Sequence, residues 1–481
     1  MRRSARQVLA TLSAAALLVL AGAAPATVRA NGFAPQADTW VATTGTPTGT
    51  NAGTSCSAPG FVVDGVNDEV EIGYAITDVL PGGTVHLCAG SYHVASGQAY
   101  NKAFTLVGAG RDATFVLGTA TFNEAGEYAG GGSEFLFGGV GEGALTIRDL
   151  TIRGFYGDGG GSYGALYGGM PITLERVRMD HNGGPDGDGG AVWYPDVIVR
   201  DCIFTDNYAS DDGGAIGASN LTIERSTFLR NHADGNGGAF TALGTVTIRN
   251  SDFIDNEANG QGGAGFTYGT STVLIDHARF RGNEARASHG GALRLYQSDS
   301  VIKYSSFTRN QAGEAGGAFD AFGGTLTVIS SRFYNNLAET NGGAFVSWEQ
   351  NSLKVLRSRF LDNRTSNNDG GAIFEHGSVA APTIRYNVFD RNRSVYGSGG
   401  GIALDAGDIA GGTGPNLLGV TNNTFRDNRA PVGNAIQVYQ CEAPSAASLR
   451  AITWKNRILR RGVDASSPRV NFTTVTCTPP G

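Results

Sequence analysis

From about residue 190 to residue 430 the apolar positions follow a two-residue period. Short runs such as Leu221-Thr-Ile223, Val246-Thr-Ile248, Val273-Leu-Ile275 and Leu326-Thr-Val328 alternate and are rich in β-branched residues, which predicts strands with one buried face. Each run sits between two recurring signatures. Gly-Gly-Ala begins at Gly189, Gly213, Gly237, Gly262, Gly290, Gly316, Gly342 and Gly370, with Gly-Gly-Gly-Ile at 399–402, and the successive gaps are 24, 24, 25, 28, 26, 26 and 28 residues. Phe-x-x-Asn recurs in the same phase at Phe204/Asn207, Phe228/Asn231, Phe253/Asn256, Phe280/Asn283, Phe307/Asn310, Phe333/Asn336, Phe360/Asn363, Phe389/Asn392 and Phe425/Asn428. Met179/Asn182 is a degenerate first copy.

A period near 25 residues suits a leucine-rich repeat or one coil of a β-helix. The chain lacks the Leu-x-x-Leu-x-Leu-x-x-Asn core, no repeat holds a helix-length 3.6-residue pattern, and paired glycines would weaken a helix. Three short strands joined by turns account for the whole period, so coils should stack about 4.8 Å apart with equivalent residues above one another. Glycine pairs then provide positive φ and close approach, phenylalanines an internal stack, and asparagines a line of amide hydrogen bonds. A bound calcium at Asp186-Gly-Asp188-Gly-Gly or at Asp211-Asp212-Gly-Gly is outweighed by a turn, because neither stretch has calcium-loop spacing. No cofactor or metal is expected.

Composition agrees with a stacked scaffold. Of 481 residues 73 are Gly and 41% are hydrophobic, too little glycine for collagen and enough apolar material for a core. Arg2, Arg3 and Arg6 precede an apolar run from Val8 to Ala24, and Val28-Arg29-Ala30 offers small residues for cleavage after Ala30, with Ala26 the second choice; residues 1–30 therefore read as an export signal. Its removal takes the formal charge from −7 to −11. That acidity argues against nucleic acid and against any anionic polymer unless a local basic patch exists. No later segment is apolar enough to span a membrane. Only Lys102, Lys303, Lys354 and Lys455 are available for lysine chemistry.

Export makes disulfides reasonable, and Cys56–Cys88 and Cys441–Cys477 are expected to staple the two ends. Cys202, in an apolar strand, reads as a buried small residue. Residues 31–55 read as a loose linker, 56–120 as an N-terminal cap and first coils, 121–437 as the coils, and 438–481 as a C-terminal cap. Within the first cap, Asp68 with Glu71 resembles a capping box, and Ile72, Ala75, Ile76, Val79 and Leu80 give a short helix one apolar face before Pro81-Gly-Gly83.

The pairing of Gly-Gly-Ala-hydrophobic with Phe-x-x-Asn resembles the repeats of the chlamydial polymorphic outer membrane protein family. Pro-Gly-Gly-Thr-Val-x-Leu-x-x-Gly-x-Tyr at Pro81–Tyr92 is similar to the opening of many pectin-lyase-like proteins. These resemblances cover most of residues 56–437 and imply an all-β fold, a right-handed single-stranded parallel β-helix with an N-terminal capping helix. The membrane family implies adhesion at a cell surface. Its members carry a C-terminal transporter barrel, however, and the residues after Ile436 are too few to build one.

Function is then sought on the outer face. Counting each repeat from its first glycine, position four is apolar and inward, and odd positions should face out. Position seven reads Tyr268, Tyr296, Phe322, Trp348, His376 and Asp405, with Phe266, Arg294 and Asp320 beside it at position five. Tyr268, Tyr296, Phe322, Trp348, His376, Arg294 and Asp320 are the candidate ligand contacts, since an aromatic ladder at coil spacing could stack on successive sugar rings. Alternatively these aromatics only shield the sheet edge. Arg294, Asp320, Glu349, Glu375, His376 and Asp405 form the best set for catalysis, but without a tight acid pair, so no catalytic residue is assigned. His289 reads as a turn residue. The expectation is a secreted or cell-surface protein that binds a polysaccharide or envelope glycan without catalysis. A polysaccharide lyase or glycoside hydrolase is the alternative, and a passive surface spike is a third.

Overall fold

The computed structural model describes residues 35–48, 52–122, 128–405, 419–440, 455–459 and 470–474, except 133, 139–140, 142, 158–163, 185–186, 270 and 379. The expected signal segment and the expected Cys441–Cys477 bridge lie outside the described residues.

Each repeat forms one coil with strands in three parallel sheets. In one coil these are Ile216–Glu224, Thr227–Leu229 and His232–Ala233. Successive coils pair in the register of the repeats: Ile216 opposite Phe240, Leu221 opposite Val246, Phe228 opposite Phe253 and Ala233 opposite Ala258. The expected parallel β-helix is therefore the fold.

The core of the coil stack follows from the signatures. The phenylalanines from Phe204 to Phe425 stack face to face, with centroids 4.7 Å apart at Phe204–Phe228 and 4.8 Å at Phe253–Phe280. The asparagines form a buried line in which each Oδ1 accepts the backbone N–H of the asparagine one coil before. That bond is 3.0 Å from Asn256 N to Asn283 Oδ1, and Asn283 Nδ2 in turn donates to Phe253 O and Asn310 Oδ1, at 3.0 and 2.9 Å. A parallel line of Ser226, Ser251, Ser305, Ser331 and Ser358 does the same. Cys202 occupies the equivalent position, its Sγ accepting Val177 N at 3.4 Å, and burial pushes its thiol up to about 12. The two glycines of a pair have different tasks. Gly213 has φ +70°, and a Cβ on Gly214 would lie 2.2 Å from Gly238 O of the next coil.

The N-terminal end departs in part from expectation. The helix Glu69–Asp78 buries Ile72, Ala75 and Ile76, but Asp68 makes no side-chain cap bond. Its carboxylate instead accepts Gly65 N and His93 N at 2.8 and 2.7 Å, joining the helix start to the strand Gly90–His93. Val79 and Leu80 belong to the strand Val79–Leu87 and not to the helix. Part of the expected linker is ordered: Gln36–Ala42 is a strand, parallel to Val79–Leu87, because alternate residues Thr39 and Val41 are buried there. The expected Cys56–Cys88 disulfide is present. At the other end Arg457–Leu459 and Val470–Thr474 continue the sheets, pairing with Thr424–Arg426 and Ile436–Gln440.

Candidate functional site

The strand after each glycine pair sets three adjacent columns. Position four is interior, as expected: Phe240, Leu293, Phe319, Phe345 and Ile373 are buried. Position seven carries Tyr296, Phe322, Trp348, His376, Asp405 and Tyr439, each opposite the next. Tyr296 and Phe322 stack at 5.3 Å, Trp348 meets His376 edge-on at 5.3 Å, and all four side chains are half-buried. Tyr439 extends this line and was missed because its repeat lacks the Gly-Gly-Ala signature.

Position five faces away from the core, yet it is covered. Arg294 is 7% exposed and Asp320 0%, and they form an ion pair. Arg294 Cζ lies 5.7 Å from the Tyr296 ring centre and 5.9 Å from that of Phe322, while Asp320 Oδ2 accepts Trp348 Nε1 at 3.1 Å. These two residues, expected as exposed ligand contacts, lie beneath the aromatic ladder and hold it in place. Burial lowers the Arg294 guanidinium to about 10, which leaves it charged at neutral pH.

The residue before each glycine pair forms another ladder. Asp188 Oδ1 accepts Asp212 N at 3.2 Å, Asp212 Oδ1 accepts Asn236 N at 2.6 Å, and Asn236 Oδ1 accepts Gln261 N at 2.9 Å. It resumes with Asn341 and Asp369. Between them His289 breaks the pattern: its Nε2 lies 2.8 Å from Glu314 and its Nδ1 3.3 Å from Asp320. Burial, with the Arg294 charge adding, holds this imidazole below its ordinary value. His289 is a turn residue that also supports the buried pair.

Two short stretches that read in the sequence as turns in preference to calcium sites meet in space. One carboxylate oxygen from each of Asp188, Asp211 and Asp212 lies within 4.8 Å of the others, with Asp211 exposed and the other two half-buried. Asp186 lies outside the described residues. Burial, helped by the charges of Asp212 and Asp211, pushes Asp188 up to about 7, and burial also raises Asp212. Tyr268 leaves the aromatic ladder here and donates its hydroxyl to Asp212, while Asn236 Nδ2 donates to the same hydroxyl oxygen at 3.3 Å. On the other side Trp193 stands opposite Gly217. A Cβ on Gly217 would sit 2.8 Å from Trp193 Cδ1 and 3.3 Å from Asp188 Cβ, so the missing side chain lets the indole lie beside the acid. The trio is separated by 23 residues and by one in the chain; only stacked coils make it a cluster.

The Tyr268–Asp212 and Trp348–Asp320 contacts place these columns on one face. From the coil of Asp188 to that of His376 it runs seven coil steps, roughly 34 Å at about 4.8 Å each. Other members of the expected catalytic set do not share it equally. Glu375 is interior, in a column with Leu295, Ala321, Ser347 and Leu404, and is 2% exposed. A two-residue period turns position six inward whatever its polarity. Glu349 is exposed in the turn after Trp348 with φ 49°. His376 Nδ1 lies 3.0 Å from Asp405, and that hydrogen bond raises its imidazole above the ordinary value.

Residues 136–285 and 237–410 match the family described as "Right handed beta helix region". The chain belongs to this family. Sequence comparison with curated proteins finds no match. Among solved structures this β-helix is similar to a variant catalytic domain of a GH87 alpha-1,3-glucanase in complex with nigerose, at 14% identity and TM-score 0.40, over 84% of this chain and 66% of that one. It is also similar to the catalytic unit of the thermostable GH87 alpha-1,3-glucanase of Streptomyces thermodiastaticus strain HF3-3, at 13% and 0.37, over 83% and 65%. A third is the A-module of the Azotobacter vinelandii mannuronan C-5 epimerase AlgE6, at 13% and 0.28, over 87% and 97%. The chain thus spans just under two thirds of the glucanase domains' length.

Proposed function

We propose that this β-helix is exported, binds a polysaccharide along Tyr296, Phe322, Trp348 and His376, and hydrolyses it at Asp188, Asp211 and Asp212, with Tyr268 holding Asp212. The observation that carries the reading is the carboxylate trio, in which burial raises Asp188 to about 7, so that it holds a proton up to about neutral pH, beside an exposed Asp211. Such a split of roles suits glycoside hydrolysis. Asp188 gives its proton to the glycosidic oxygen as the bond to the anomeric carbon breaks, and water supplies the hydroxyl that ends on that carbon, its released proton passing to a carboxylate of the trio. Asp212, fixed by Tyr268 and Asn236, positions the other two. Trp193 and the ladder supply flat faces for sugar rings on either side.

A second reading is binding without cleavage, as in an adhesin. It is favoured by the hydrogen bonds that Asp188 and Asp212 make to the next coil's backbone, which the same column makes at Asn341 and Asp369 with no acid trio beside them among the described residues. A panel of polysaccharides incubated with the mature protein separates the two. Hydrolysis expects new reducing ends, a rate that falls as pH rises through about 7 and Asp188 loses its proton, and a loss of about 10²-fold or more in Asp188→Asn with binding retained. Binding with no new ends selects the second reading. Unsaturated ends select a lyase, and no binding to any glycan leaves a structural spike.

A further inference from the structure

The third sheet carries an outward column that reads Tyr208, His232, Glu257, Glu284, Gln311, Leu337, Arg364, Arg393, and Arg429 by an isolated bridge. Its last three members are arginines on successive coils, all exposed. Like charges directly opposite one another repel, and several other arginines of this acidic chain are paired with an acid one coil away. Arg225 is bidentate to Asp201, Arg230 to Asp206 and Arg391 to Asp362. Arg364, Arg393 and Arg429 have no ion pair among the described residues, although Asp362, Asp390 and Asp427 are two or three residues away in the chain. Around the corner, in the second sheet, Arg332 stands opposite Arg359, both exposed and also without an ion pair among the described residues.

We infer that the Arg364–Arg393–Arg429 ladder is a binding site for an anionic polysaccharide, whose carboxylates or sulfates take the place of the missing acids. The arginine positions repeat here at the coil spacing of about 4.8 Å, close to the length that one sugar unit adds to an extended polysaccharide. Each planar fork matches a carboxylate or sulfate with paired hydrogen bonds. Single-stranded nucleic acid fits less well, because it needs aromatic faces between the cations and Tyr396, 77% exposed, is the nearest in the chain. The acid-lined face described above would repel the same polymer, so this site is separate from the proposed hydrolytic one and does not depend on it.

The test uses the mature full chain with four probes: polygalacturonate, dextran sulfate, neutral dextran and a single-stranded oligonucleotide. Binding is expected to both anionic glycans and not to dextran. It should weaken steeply between about 50 and 200 mM salt, and drop at least about tenfold in R364E/R393E, since charge-assisted contacts dominate such a site. R225E, at a paired arginine, is the control and should bind as the wild type. Circular-dichroism melting checks folding, and R364Q/R393Q should show the same loss in milder form. Failure to bind either anionic glycan, wild-type affinity in both double variants, or tighter binding of the oligonucleotide than of dextran sulfate would each overturn the assignment.

Discussion

Single residues matter most where they break the repeat. Glu375 has an interior position that its neighbours in the column fill with Leu295, Ala321, Ser347 and Leu404. Its carboxylate accepts Ser378 N at 3.0 Å, and burial pushes it up to about 7 from the ordinary 4.5. A folded-state value above the unfolded one means that the native protein prefers the protonated acid. There is no penalty below about pH 4.5; one grows as pH rises and is complete above about 7. Glu375→Gln should therefore raise the melting temperature at pH 8 and leave it unchanged at pH 4.5, with a gain of up to roughly 3 kcal/mol at the higher pH. An equal effect at both pH values would show that the carboxyl is not neutral in the fold. The sequence placed Glu375 among surface acids because residue type alone suggests exposure, and only its phase in the strand shows otherwise. Arg294 and Asp320 carry the same lesson: their position faces outward, but the aromatic side chains of the ladder and the turn at His289 cover them.

Strands here are too short to hold by themselves, and the ladders hold them. Asn283 joins three coils, accepting Asn256 N and donating to Phe253 O and Asn310 Oδ1. Replacing it with Ala strands buried backbone groups at about 1–3 kcal/mol each, so a loss of roughly 3 kcal/mol or more is expected in thermal or urea melts. Phe280→Ala, which opens a gap in the phenylalanine stack, should cost about 3–5 kcal/mol. A loss under about 1 kcal/mol for either would mean that neighbouring coils close the gap. Both ladders could be read in the chain, since a period near 25 residues stacks like on like. The serine line has the same phase, two residues before each phenylalanine from Phe204 to Phe360, but Cys202 and Ala278 interrupt the residue type, so its hydrogen-bonding role shows only in the structure.

In a solenoid each coil touches only its neighbours, so stability is local and the ends decide where unfolding begins. The Cys56–Cys88 disulfide, spanning 32 residues, ties the N-terminal strands to the first coils. A Cys56→Ala/Cys88→Ala variant should lose about 3 kcal/mol at that end. Hydrogen exchange should then rise across residues 36–93 and stay unchanged beyond residue 190; uniform loss of protection along the chain would contradict such local stability. The sequence by itself determined the fold class, the coil register, the phenylalanine and asparagine ladders and the aromatic line from Tyr296 to His376, because a repeated backbone places equal positions above one another. Only the tertiary structure decided what those positions do. It set Asp211 beside Asp188 and Asp212, turned Tyr268 from the ladder onto Asp212, covered Arg294 and Asp320 with the ladder's aromatic rings, and left Arg364, Arg393 and Arg429 without an ion pair among the described residues. The repeat stacks equivalent positions and turns Glu375 inward, but these side-chain contacts run between columns, and no periodicity along the chain encodes them.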